Sequence, residues 1–174
     1  MTTPQQPATG HTVSPTPSLH PSSAAGPVHR FLGLPFLAVI GLAALGLPRV
    51  VLHDLGVLTG SSVAAFLLAV GPLVAWVLVA IRPTVRRPFL ALLATGALHG
   101  LLLAATHQVL WTQAFDGAAP RLGDNLADVD PAVQDVVLRG AAVMSGLHTG
   151  IALGAVTGLV AWLVVRHRTP SSAR

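Results

Sequence analysis

The chain has 174 residues, of which 52% are hydrophobic and 9% charged, with ten Arg, six Asp and no Lys, Glu, Tyr or Cys. A water-soluble domain usually carries about a quarter charged residues, so a mean hydropathy of +0.70 excludes an ordinary soluble surface. The missing residue types exclude disulfides, thiolate nucleophiles, Cys metal sites, Schiff-base Lys, Glu general bases and Tyr acids.

The isoelectric point near 11.6 reflects Arg set against few acids. The Arg form no single long cluster, so nucleic-acid binding is not implied. Arg-only basic usage with abundant Ala, Gly, Val and Leu resembles proteins from GC-rich bacterial genomes.

Residues 1–29 are rich in Pro, Ser, Thr and Ala, with His11, His20 and His29 scattered among them. Such a stretch buries too little apolar surface to offset chain entropy, and it reads as a disordered cytoplasmic tail. A long Pro-rich lead and no good cleavage site after Leu47 mark the first apolar stretch as a retained span, not a signal peptide.

Four charge-free apolar stretches follow, at 31–48, 55–81, 88–115 and 140–165. About 20 helical residues cross a ~30 Å hydrocarbon core. Helices satisfy their own backbone in lipid, whereas open strands do not. The expected architecture is an all-α, four-helix integral membrane bundle over 30–168, followed by a cytoplasmic tail at 169–174. Its spans lie near 31–50, 60–81, 88–111 and 140–165.

The first span holds Pro35 and reaches Pro48 and Arg49, where it kinks and continues through Val50–Leu52. In the second, Pro72 removes one backbone donor and crowds the Leu68 carbonyl, which predicts a kink; it either opens a small cavity or, more commonly, is only a feature of helix shape. Asp130-Pro131 reads as an N-cap with Pro at N1, so a helix from Pro131 runs into the fourth span. Asp135 and Arg139 are spaced to pair on its surface.

Charge sorting orients these spans. Arg82, Arg86 and Arg87 sit between spans two and three; Arg30 precedes span one; Arg166 and Arg168 follow span four. The positive-inside rule places all of them, and both termini, in the cytoplasm of a plasma-membrane protein. Every Asp then falls in the outer segments. Trp111 is expected at the outer interface, with Trp76 and Trp162 near the inner one as anchors.

Span four carries Gly146, Gly150, Gly154 and Gly158 at four-residue spacing, and span three carries Gly96, Gly100 and Ala104 likewise. Successive members turn about 40° apart, forming a slowly wrapping groove where helix backbones approach closely. The partner of each groove is the other span or a second copy of the chain.

Ionisable groups at membrane depth usually face the protein interior and are often functional. Here they are His99, His107 and His148, with Gln108 and Thr149 extending a candidate polar cluster. Each His is expected either to hydrogen-bond across helices or to serve metal, haem or proton transfer. His99 and His107 are about 12 Å apart along one helix, too far to share a metal ion. His148 is expected to look toward span one or two. Arg49, His53 and Asp54 are expected to form a small external ion-pair network that anchors a loop. The Asp124–Asp130 segment lacks calcium-loop spacing. No phosphate-binding glycine loop, nucleophile elbow or metalloprotease motif is present.

The functional expectation is a non-catalytic, multi-pass membrane protein without a cofactor. It acts by helix association as an accessory or assembly component, with lipid and another copy or membrane protein as partners. Small-solute or ion transport, and His-dependent metal or haem binding, are the alternatives. A site in either case would open on the acidic side.

Overall fold

The computed structural model describes residues 31–58, 62–115, 117–118 and 120–168. The expected N-terminal tail (1–29) and C-terminal tail (169–174) lie outside them. The described residues form helices and connections, with no strand. In chain order the helices are α1 (Phe36–Ala44), α2 (Leu47–Asp54), α3 (Val63–Ala80), α4 (Pro88–Val109), the short α5 (Trp111–Ala114) and α6 (Pro131–Arg168). A 3-10 turn, Asp124–Leu126, interrupts the loop before α6. Four stretches are long and apolar enough to cross a membrane: α1 with α2, α3, α4 and α6.

The first of these is broken, not merely kinked. α1 stops at Ala44 and α2 restarts at Leu47, so the expected continuation through Val50–Leu52 is a separate helix that runs to Asp54. Pro48 has no N–H for the carbonyl four residues back, and it is tolerated in the first turn of a new helix. Leu45 N–H closes the end of α1 by bonding the carbonyls of Gly41 and Leu42.

α3 starts at Ser62, whose hydroxyl accepts a hydrogen bond from Ala65 N–H at 3.1 Å. Pro72 is buried inside it without ending the helix, and it lines neither of the two cavities described below. α6 begins where the sequence places it: Asp130 Oδ1 accepts from Ala132 N–H at 2.8 Å. Its 38 residues correspond to about 57 Å, far beyond a ~30 Å core. The first turns therefore extend past the bundle. There Arg139 Nε donates to Asp135 at 2.8 Å.

Gln134 ties the preceding loop to this extension. Its side chain is buried; the amide oxygen accepts from Leu122 N–H at 2.9 Å, and the amide nitrogen donates to Val129 O at 2.7 Å and Ala127 O at 3.3 Å. A loop without a core of its own is thus held by one side chain, which the sequence reading passed over.

The most extensive interface joins α4 and α6, and it is built on glycine. A Cβ on Gly96 would strike the Gly150 carbonyl, and one on Gly150 would strike the Gly100 backbone and the Gly96 carbonyl. A Cβ on Gly154 would lie 2.6 Å from Leu92 O, and one on Gly158 2.9 Å from Phe89 O. Gly146 faces Ala104. Both glycine grooves therefore meet inside one chain. The pairings also run the helices antiparallel, which brings the C-terminus of α6 beside the N-terminus of α4.

Around this seam, Trp76 and Ala80 of α3, Leu92 of α4 and Ala161 of α6 form a fully buried cluster with Leu42 of α1 packed on it. Outward surfaces are apolar: Leu37, Val63 and Val109 are each more than 70% exposed. Such residues would be costly against water and are at home against hydrocarbon.

Gly150→Leu should force α4 and α6 apart and lower stability by about 1–3 kcal/mol or more. Gly41→Ala, where a Cβ meets nothing within 4 Å, should not lower it. Denaturation of the purified protein in mixed detergent micelles measures both; equal behaviour would contradict this packing.

Candidate functional site

The break in the first span frees backbone carbonyls that must be satisfied in an apolar interior. Two side chains reach them from neighbouring helices. Trp76 Nε1–H on α3 donates to Leu42 O at 2.7 Å. His99 on α4 donates from Nδ1–H to Ala43 O at 2.8 Å; a carbonyl can only accept, so the proton sits on Nδ1. The two rings meet edge to face, with centroids 5.6 Å apart and planes at 80°. Gly46 makes room for the imidazole, since a Cβ there would lie 2.6 Å from His99 Cε1.

Trp76 is therefore not an interfacial anchor. It is fully buried because its N–H is needed at the break. Trp162 remains half-exposed, with the Arg166 guanidinium 5.1 Å from its ring centroid.

Beyond the break, α2 delivers Arg49, Val50, His53 and Asp54 to the end of the bundle. Asp54 does not sit in a solvated ion-pair network, as the sequence suggests. Its side chain is only 4% exposed, and its Oδ2 accepts a hydrogen bond from His107 Nδ1–H of α4 at 2.7 Å. Its Oδ1 lies 3.5 Å from Nδ1 of the mostly exposed His53. The reason is the helical restart, which turns Asp54 inward at the last residue of α2. Removing a carboxylate from water costs several kcal/mol unless it is paired, and His107 supplies the pair.

The Asp54–His107 pair lines a cavity of about 490 Å³. Arg49 and His53 line it from α2, Trp111 from α5, and Ser145 and Thr149 from α6. Val50, Leu103 and Phe115 supply apolar wall. Two donors at this site, Arg49 Nε and Trp111 Nε1, are buried without a hydrogen-bond partner among the described residues. Trp111 also stacks edge to face on Phe115, at 4.9 Å between centroids. The guanidinium of Arg139 lies 4.8 Å from its ring centroid.

The structure divides the residues expected to cluster. His107 and Thr149 share the cavity. His99 lies deeper, committed to Ala43. Gln108 turns to the rim, where it donates to Arg139 O at 3.3 Å and accepts from Arg139 at 3.4 Å. His148 does not face span one or two: it is exposed and bonds its own helix at Met144 O, 2.9 Å away. The three His therefore do not converge, and among the described residues no group of three His or Asp side chains has the arrangement of a metal site.

Sequence reasoning also missed Trp76, Trp111 and Ser145 as working positions. Ser145 lies one turn before Thr149 on α6, the one signal that could have placed both on a common wall. No protein-family model, curated protein or solved structure matches the chain, so the geometry stands without a family context.

Trp76→Phe keeps the ring but removes the shorter of the two bonds to the Leu42 carbonyl, leaving it only Leu45 N–H at 3.2 Å. It should cost about 0.5–1.5 kcal/mol of stability, measured by the same micelle denaturation; no loss would mean that the Leu45 bond alone satisfies the carbonyl.

Proposed function

We propose that the protein is a multi-pass plasma-membrane protein, with both termini cytoplasmic, that binds a small polar solute in the cavity at its acidic end as part of a transport function. One observation carries this reading: a buried carboxylate paired at 2.7 Å with an imidazole, beside a cavity of about 490 Å³. Ionisable groups within spans are costly and commonly mark solute or proton paths. The volume falls in the usual range of ligand pockets, roughly 300–1,000 Å³.

Arg49 Nε and Trp111 Nε1 beside the pair have no acceptor among the described residues, which favours a solute with acceptor oxygens. The Arg-rich end faces the cytoplasm by the positive-inside rule, so the cavity opens outward. Composition favours a bacterial source. The reading assigns no catalytic step, cofactor or nucleic-acid partner.

Helix association, the first expectation from the glycine spacing, is weakened as a function because Gly96, Gly100, Gly150 and Gly154 are occupied within the chain. A purely structural accessory role is what remains if the cavity binds nothing.

A thermal-shift panel of small carboxylates, amines, zwitterions and polyols tests the proposal. At least one probe should stabilise the wild-type protein, and that shift should disappear in Asp54→Asn and His107→Ala. No shift with any probe, or a shift unchanged in both variants, would sink the solute-binding role. Orientation has its own test, since the chain has no Cys. Ser145→Cys should react with a membrane-impermeant maleimide from outside intact cells, and Arg86→Cys only after lysis; the reverse pattern would overturn the orientation.

A further inference from the structure

We infer that a second cavity, at the basic end of the bundle, holds one anionic phospholipid, its acyl chain against α1 and α3 and its phosphate at Arg82. The inference rests on the membrane placement proposed above and not on the Asp54 cavity. This groove measures about 550 Å³. Leu34, Pro35, Ala38, Leu42 and Val79 make its wall apolar, while Arg82 and Thr84, just beyond the end of α3, provide its polar part.

Charge complementarity identifies the occupant. Arg82, Arg86 and Arg87 follow α3, and the antiparallel α4–α6 packing brings Arg166, His167 and Arg168 to the same end. Among the described residues no Asp lies there; Asp54, Asp124, Asp128, Asp130 and Asp135 belong to the opposite end. Arg87 lies 4.3 Å from the Phe31 ring centroid, and Arg166 rests on Trp162. Arg82 has neither an acidic nor an aromatic partner among the described residues. An exposed guanidinium at the polar part of an apolar groove suits a phosphate joined to a hydrocarbon chain. The surrounding positive charge favours a lipid of net negative charge over a zwitterionic one.

Native mass spectrometry of the detergent-solubilised full chain, with phosphatidylglycerol and phosphatidylcholine supplied equally, tests this. One phosphatidylglycerol should be retained about fivefold more than phosphatidylcholine, and Arg82→Gln should remove about that preference. Gly41→Leu should lower retention of the lipid by filling the groove. It is a safe probe of the fold because Gly41 lines the cavity and its Cβ would meet nothing within 4 Å. Equal retention of the two lipids, retention of neither, or unchanged phosphatidylglycerol binding in both variants would overturn the inference. Displacement by inorganic phosphate alone would also overturn it, assigning the groove to a bare anion.

Discussion

The structure depends on how a broken helix satisfies its own backbone. Between Ala44 and Leu47 the first apolar stretch gives up regular hydrogen bonding. In water the freed carbonyls would be hydrated at little cost; in an apolar interior each would carry a desolvation penalty. Trp76 and His99, from two different helices, donate to Leu42 and Ala43. These bonds fix α1 against α3 and α4 and set where α2 begins. Asp54, at the end of α2, then meets His107, two turns beyond His99 on the same face of α4.

Two kinds of contact divide the labour. The glycine seam between α4 and α6 relies on close backbone approach and dispersion, with no polar group required. The α1–α2 segment is held by hydrogen bonds to specific atoms. The cavity forms where the two meet: α2 and α4 bring the Asp54–His107 pair, and α6 brings Ser145 and Thr149 from beside the seam. At the opposite end Arg82 and its neighbours line a groove of different character. The bundle is thus polarised, with an acid–imidazole pair at one end and unopposed Arg at the other.

Much of the fold was legible in the sequence because it follows from one-dimensional patterns. Four charge-free stretches marked four membrane-length apolar segments, the first of them broken into α1 and α2, Asp130-Pro131 marked the start of α6, and four-residue glycine spacing marked the faces of α4 and α6. The site was less legible because it depends on which helices are neighbours. A helical wheel places His107 on the glycine face but cannot say that α2 brings Asp54 to it. His148 was expected to look inward, yet the carbonyl of its own helix, one turn back, satisfies it without a neighbour. Trp76 was assigned to an interface by a statistical habit of membrane proteins. Its burial follows from the break in α1, and Gly46 and Pro48 give the position of that break without revealing which donors repair it.

The most direct test of this account is the Nδ1–H bond of His99, read by nitrogen NMR of 15N-histidine-labelled protein in micelles with His99→Gln for assignment. The account predicts a proton on Nδ1 that is slow to exchange with water and shifted as a hydrogen-bonded N–H. A proton on Nε2 alone, or an Nδ1 proton exchanging freely with solvent, would show that His99 does not hold the Ala43 carbonyl. The link from the broken helix to the Asp54 site would then fail.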